Sequence, residues 1–368
     1  MLKKLSLAAL IAMTSMSVAT ATPLTEAIKG VDIGGEQKLK FTYDDNGAGW
    51  ETSGKFKFAV PVSEELKLKT SYKFESDDDN PDILKNSKFF LEYNKAQLNV
   101  IFGKIPVNTP ITDGDSGEGL IATYTVSDNL DFVLGGLDSL NSKKNTPGED
   151  NTYVLAAIYN ADSLNLEGWF FKIDKQIKSN IVVRAAYKTD ILKINGDFAT
   201  AKPENGDTQL YFNIAGEGKI EGFSVMAGFA TTSENGGAIV LNDDAAISKD
   251  ILPTKQTSTI AQIADARALY VKVGYDLNSK INVYGALANI GVGDNDDNEM
   301  VLGGSYKYTD NIKVSAYYST YTEADSSEIE VKGDYSYNKK MKFSAKYTLS
   351  MIGNNNTDTV ELEAKYSF

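Results

Sequence analysis

Residues 360–368, at the end of the chain, read Val-Glu-Leu-Glu-Ala-Lys-Tyr-Ser-Phe and alternate strictly between apolar and polar side chains. Successive side chains of a β-strand point to opposite faces, so this stretch predicts a strand with one apolar and one charged face. A soluble sheet could bury such an apolar face in its core. The pattern recurs back to residue 31, however, in units of roughly ten residues, the length that a tilted strand needs to cross a membrane.

The polar face of the early strands is rich in lysine. Residues 38–43, 55–60 and 66–74 alternate apolar side chains with Lys38, Lys40, Lys55, Lys57, Lys67, Lys69 and Lys73. A strand buried on both faces would not tolerate so many charges. The sequence therefore predicts an all-β fold, a transmembrane antiparallel β-barrel whose last strand pairs with its first, so that no open edge faces lipid.

The connections between these runs are of two kinds. Short turns, such as 94–96, 127–129 and 216–218, alternate with longer polar segments, such as 105–119 and 232–265. Short periplasmic turns and long external loops are typical of transmembrane barrels. The count of alternating runs is about 20 strands, with residues 174–180 open to interpretation as a loop or as a bend within one strand.

The first residues predict export. Lys3 and Lys4, an apolar run over residues 5–13 and the sequence Ala19-Thr20-Ala21 indicate a secretory signal peptide over residues 1–21. The alternative, an anchoring helix, would be too short to span a bilayer. Residues 22–30 begin with Thr-Pro and end with Gly, which predicts a short helix, and residues 31–368 form the predicted barrel domain.

Composition excludes several classes of function. Without residues 1–21 the chain has 35 basic and 50 acidic residues, a net charge of −15, which speaks against a nucleic-acid partner. The chain has no cysteine and no histidine, so disulfides, a Ser–His pair, a cysteine nucleophile and an ordinary zinc site are impossible. We expect neither an enzyme nor a protein with an organic cofactor.

Three segments resemble the campylobacter-type major outer membrane porins: residues 22–32, Phe102-Gly103-Lys104 before an acidic glycine-rich stretch, and the final Tyr366-Ser367-Phe368. The resemblance implies an 18-stranded homotrimeric barrel in the bacterial outer membrane, in contact with lipid and lipopolysaccharide. It implies passive diffusion of ions and small hydrophilic solutes, with a preference for cations. The terminal Phe368 resembles the signal that the barrel-assembly machinery reads.

A porin acts through a constriction whose size is set by a loop and whose field is set by facing charges. We expect the segment 105–119, after the fifth strand, to fold inward and to present Asp113, Asp115 and Glu118 as the acidic side. The alternative is an external loop with solvated acids. The basic side would be formed by lumen cations, Lys38, Lys40, Lys55, Lys57, Lys67, Lys69 and Arg184. Arg184 could equally pair with a carboxylate of the wall.

Two further features remain open. Asp294, Asp296 and Asp297 could bind Ca²⁺, an ion that prefers oxygen ligands, and residues 77–80 are similar, but neither segment fits an EF-hand and both could be solvated loops. In the segment 232–265, Ile260, Ile263 and Ala264 follow Thr259 at helical spacing, which predicts a short helix packed over the pore mouth or against a neighbouring subunit.

The functional prediction is a general diffusion porin with a weak cation preference. One alternative is a substrate-specific channel in which the lysines guide anions, and current that saturates with one solute would reveal it. Another is a structural or adhesin barrel with a closed lumen, which would not conduct.

Overall fold

The computed structural model describes residues 30–45, 47–76, 85–141, 150–242, 245–247, 251–323, 325–353 and 355–368. The predicted signal peptide 1–21 and the predicted helix 22–30, apart from Gly30 in a turn, lie outside these residues. Within them, no helix is long and apolar enough to cross a bilayer.

The described residues form twenty antiparallel strands, each hydrogen-bonded to the next along the chain. β20 pairs with β1, from Glu36 opposite Ser367 to Tyr43 opposite Val360, and this pairing closes the sheet into a barrel. The strands are β1 (Asp32–Asp44), β2 (Gly47–Pro61), β3 (Leu66–Ser76), β4 (Lys85–Lys95), β5 (Leu98–Thr109), β6 (Thr112–Ser127), β7 (Leu130–Asn141), β8 (Thr152–Asn160), β9 (Leu164–Ile173), β10 (Ile177–Lys188), β11 (Leu192–Pro203), β12 (Gln209–Ile220), β13 (Phe223–Thr232), β14 (Ala266–Asp276), β15 (Ile281–Val292), β16 (Asn295–Lys307), β17 (Ile312–Tyr321), β18 (Ser326–Ser336), β19 (Met341–Ile352) and β20 (Asn355–Ser367).

The barrel confirms the fold class and the count of about 20 strands. It has more strands than the 18 implied by the resemblance, so that part of the expectation is wrong. Because the number is even and the sheet is closed, both ends of the barrel chain lie at the same rim, the rim of the short turns.

Successive side chains of each strand alternate between the outer face of the barrel, which contacts lipid, and the inner face. Leu134, Leu269 and Leu302 point outward and are more than 60% exposed on the isolated barrel, whereas Ala268 and Val301 next to them point inward and are buried. Tyrosines beside the short turns are exposed as well, which agrees with an aromatic girdle at one membrane interface. These tyrosines are Tyr124, Tyr159, Tyr187, Tyr308 and Tyr337.

Some predicted turns are misplaced. The turn predicted at 216–218 is wrong, because β12 continues to Ile220 and the chain reverses at Glu221 and Gly222, both with positive φ. The sequence alone does not distinguish a glycine that lies within a crowded strand from a glycine that allows a turn. Residues 174–176 form a tight turn, with Lys175 also at positive φ, so the segment 174–180 is neither a long loop nor a continuous strand.

Candidate pore and its constriction

The register of the strands places the predicted lysines on the inner face. Glu36 of β1 lies opposite Lys55, Lys38 opposite Ser53, and Lys40 opposite Glu51, all on the face opposite to the lipid-facing Leu39 and Phe41. Lys57, Lys67 and Lys69 share this inner face through the β2–β3 pairing.

Residues 233–265, the connection between β13 and β14, fold into the lumen and are called the inner loop here. Leu241, Ile247 and Ile260 are almost completely buried, although they belong to a long loop. Asn180 of β10 donates a hydrogen bond from Nδ2 to the carbonyl oxygen of Ile239 at 3.0 Å. The loop therefore packs against the inner wall rather than extending from the rim.

The predicted helix of the inner loop is wrong. The segment 258–265 consists of irregular backbone and turns, and Ile263 is partly exposed while Ile260 is buried. The apolar spacing reflects packing of single side chains against the wall, because so short a helix gains too little from its own hydrogen bonds to form without support.

Glu299 on β16 holds the far side of the inner loop. Its carboxylate is fully buried and accepts hydrogen bonds from the backbone N–H groups of Lys255 at 2.7 Å, Gln256 at 2.8 Å and Thr257 at 3.0 Å. The hydroxyl of Ser319 donates a fourth hydrogen bond at 2.7 Å. A buried carboxylate is costly unless it is satisfied, and these four donors offset that cost.

The segment 105–119 is a β-hairpin and not the irregular loop that we expected, although its tip does contact the inner loop. β5 and β6 extend to a turn at Pro110 and Ile111 because the two strands stay paired up to Thr109 and Thr112, with one irregularity between Val107 and Thr109. Beyond Lys104, β5 pairs with β6 alone, since the β4–β5 pairing ends there. The tip then meets the inner loop: Leu241 N–H donates to the Ile111 carbonyl at 2.8 Å and Ile247 N–H to the Pro110 carbonyl at 3.1 Å.

The three acids of this segment do not form one acidic side. Asp113 is exposed, and its carbonyl accepts a hydrogen bond from Asn242 Nδ2 at 2.8 Å. Asp115 is only 5% exposed and accepts from the same Asn242 at 3.3 Å. Glu118 lies opposite Lys104, on the other face of the hairpin from Asp115. Residues three apart on a strand point to opposite faces, so Glu118 is separated from Asp115.

Arg184 pairs with carboxylates of the wall, the second of its two predicted roles. Its Nε lies 3.0 Å from Asp197 Oδ1 and a terminal nitrogen lies 3.8 Å from Glu167 Oε1. These three residues are cross-strand neighbours on the inner faces of β9, β10 and β11.

The acids proposed for calcium also have separate partners. Asp296 forms a double contact with Arg267, at 3.0 and 2.9 Å, while Asp297 accepts hydrogen bonds from Thr322 at 3.1 Å and from the Glu323 N–H at 2.9 Å. Asp296 and Asp297 are consecutive on β16 and face opposite sides. In the described part of the chain, no three acidic side chains come close enough to hold a metal ion, and residues 77–80 lie outside it.

Several lumen lysines pair with glutamates that the sequence analysis did not single out. The ion pairs are Lys38–Glu363 at 3.1 Å, Lys40–Glu361 at 3.6 Å, Lys346–Glu361 at 3.0 Å, Lys365–Glu36 at 2.8 Å and Lys69–Glu92 at 2.5 Å. The same alternation that revealed the lysines would have placed these glutamates on the inner face, but only the tertiary register makes the pairs.

Two other groups of charged side chains in the lumen lack such ion pairs. Lys55, Lys57, Lys73 and Lys88 form the lysine cluster, and Glu328 and Glu330 on β18 form the acidic pair. Across the residues that the structure describes, none of the six has an oppositely charged side chain within ion-pair distance. Glu328 accepts hydrogen bonds from Tyr317 and, at 3.3 Å, from Ser350.

Comparison with known proteins gives one family and one group of structures. Residues 1–148 match the family described as Campylobacter major outer membrane protein, which confirms the resemblance over that part. No curated protein sequence matches the chain.

Similar solved structures include outer-membrane channels of Pseudomonas aeruginosa. OccK11 (OpdR) has a TM-score of 0.65 and 10% identity over 92% of this chain and 96% of its own. OccD3 (OpdP) has a TM-score of 0.63 and 11% identity over 92% and 91%. OpdK with vanillate has a TM-score of 0.62 and 11% identity over 92% and 99%. At such identity the likeness shows the fold.

Proposed function

We propose that this chain, whose first 148 residues match the Campylobacter major outer membrane protein family, is an outer-membrane porin, and that ions and small solutes pass through it beside the inner loop. The path would follow the inner faces of β17–β20 and β1–β4, called the open arc. Bond chemistry has no part in such a function, because transport follows from the shape and field of a water-filled lumen.

The observation that supports this path is an asymmetry around the barrel. Inner side chains of β7–β16, such as Val154, Val182 and Ala268, are buried under the inner loop. Inner side chains of the open arc, such as Lys38 and Glu363, are charged and about one third exposed. Water and ions therefore have an accessible charged surface along the open arc, in addition to the ionic group that Arg184 forms with Glu167 and Asp197 on β9–β11.

A weak cation preference would arise from the acidic pair. Glu328 and Glu330 face the lumen without an ion-pair partner among the described residues, and Lys332 on the same face of β18 is paired with Asp334. The acids of 105–119, in contrast, do not converge. Fixed charges on the wall of a narrow, low-dielectric passage concentrate counter-ions, and this effect falls as salt screens it.

Planar-bilayer conductance of the refolded full chain in KCl tests this function, with the reversal potential taken across a salt gradient. Large stepwise openings and a cation-leaning reversal potential would agree with it, and steps in groups of three would support the homotrimer. A correctly folded barrel without conductance would contradict it and favour the structural or adhesin barrel.

A substrate-specific channel is the second candidate, and the lysine cluster favours it. The similar OpdK structure contains vanillate, which is a carboxylate. Current that saturates with one solute, and not with others of equal size, would distinguish this channel from a general porin.

A further inference from the structure

The lysine cluster places like charges directly beside one another. Lys55 of β2 lies opposite Lys73 of β3, and Lys57 lies opposite Ser71, which lies opposite Lys88 of β4. Directly opposed like charges destabilise a sheet, and the register alone imposes this arrangement. Within the described chain, no carboxylate stands close enough to Lys55, Lys57, Lys73 or Lys88 to form an ion pair.

The cluster borders a recess of about 620 Å³ between the wall and the tip of the β5–β6 hairpin. Lys55, Lys57 and Lys88 line one side, and Pro106 and Asn108 of the hairpin line the other. Because the hairpin leaves β4 beyond Lys104, its tip turns toward these lysines and narrows the recess.

The charge of the recess is positive. Lys69 also lines it but is paired with Glu92, and Asp32 is its one lining acid among the described residues. Asp115, across the hairpin, lies within electrostatic range of Lys88 but is held by Asn242. Three lysines thus face one lining aspartate, and Glu36, which lies opposite Lys55, is paired with Lys365.

The lining also has an apolar part, formed by Phe90, Ala59 and Pro106. Lysines are mobile, strongly hydrated point charges that do not impose the paired geometry of arginine, which suits binding that is weak and quickly reversed. A channel needs such binding, because a solute that enters must also leave.

We propose that this recess is a subsite for small organic carboxylates, with the anionic head near Lys57 and Lys88 and the carbon skeleton against Phe90 and Pro106. The inference rests on the proposed channel function and names its solute class. It does not conflict with a weak cation preference for salt, because the acidic pair lies on β18, away from β2–β4.

The test uses single-channel recordings of the full chain with benzoate added, and benzyl alcohol and inorganic phosphate as comparison solutes. Benzoate should reduce the current in a saturable manner, whereas benzyl alcohol lacks the charge and phosphate lacks the apolar body. The double variant K57Q/K88Q should need roughly tenfold more benzoate for half-block, the size of effect that follows from weakening two charged contacts. K342Q, which removes an exposed inner lysine of β19 outside the recess, should keep the half-block concentration of the native chain.

Each outcome has a separate meaning. No conductance at all would contradict the channel function itself. Normal conductance without benzoate block, equal block by phosphate, or equal half-block in K57Q/K88Q would contradict the subsite and leave the channel function intact. If K57Q/K88Q lost its folded, heat-modifiable gel band, the single variants K57Q and K88Q would be compared with K342Q in the same way.

Discussion

The carboxylate of Glu299 accepts a hydrogen bond from the backbone N–H of Gln256 at 2.8 Å, although the residues are 43 positions apart. Glu299 belongs to the rigid wall and Gln256 to the inner loop. With the neighbouring N–H groups of Lys255 and Thr257, the contact determines where the loop crosses the lumen. This buried carboxylate is therefore one of the contacts that hold the inner loop inside the lumen.

Replacing Glu299 with Gln should loosen the inner loop. The amide keeps one oxygen acceptor but turns an N–H₂ group toward backbone donors, and a lost hydrogen bond to a charged group costs about 1.5–3 kcal/mol. We expect larger and noisier single-channel currents from E299Q, with the barrel still folded. The control is E363Q, a lumen variant whose glutamate contacts Lys38 and not the loop. Its single-channel currents should keep the low noise of the native chain. Identical recordings from E299Q and the native chain would show that this carboxylate does not position the loop.

Cysteines at positions 115 and 242 should be bridged by a short thiol crosslinker such as dibromobimane, because Asp115 and Asn242 are in side-chain contact. The native chain has no cysteine, so the crosslinker can react only with the two introduced thiols. The pair at 118 and 242 is the control, since Glu118 faces away from Asp115. Equal crosslinking of the two pairs would mean that the hairpin tip does not meet the inner loop as described.

Neutralising Glu328 and Glu330 should lower the preference for cations. We expect E328Q/E330Q to reduce the cation-to-anion permeability ratio roughly twofold at 0.1 M salt and less at 1 M, where the Debye length shrinks to about 3 Å. E64Q removes one negative charge from an exposed turn outside the lumen and should leave the ratio unchanged. A ratio that stays constant in E328Q/E330Q would place the selecting charges elsewhere.

Phe368 should matter most for closing the barrel. Its backbone exchanges two hydrogen bonds of 3.1 Å with Gly35, and its ring packs on Phe56 at a centroid distance of 5.7 Å. A Cβ at position 35 would overlap the Lys55 carbonyl oxygen and lie 2.8 Å from the Phe368 ring, and these two contacts explain the glycine. F368A should reduce the heat-modifiable folded fraction more than F343A, which removes a similarly exposed ring away from the closing pair. If the terminal residue is also the assembly signal, the loss will be greater in cells than in refolding from denaturant.

The sequence determined the class of fold because the alternation of apolar and polar residues can be recognised within a single strand. Each lysine on the polar face, from Lys38 to Lys73, could be placed in the lumen without knowledge of its neighbours, since lipid permits only apolar side chains on the other face. For the same reason the number of alternating runs predicted the strand count better than the resemblance did.

The tertiary structure alone decided which polar segment enters the lumen and which charges neutralise one another. Residues 105–119 and 233–265 are both polar connections, and nothing local shows that Glu299 would bind one of them from β16. Arg184 and Lys55 are both basic residues on alternating strands, yet Arg184 pairs with two carboxylates. Lys55 lies between Lys73 and Glu36, and Glu36 pairs with Lys365 instead. Such pairings depend on residues far apart in the chain, so their energies are defined only once the barrel has closed.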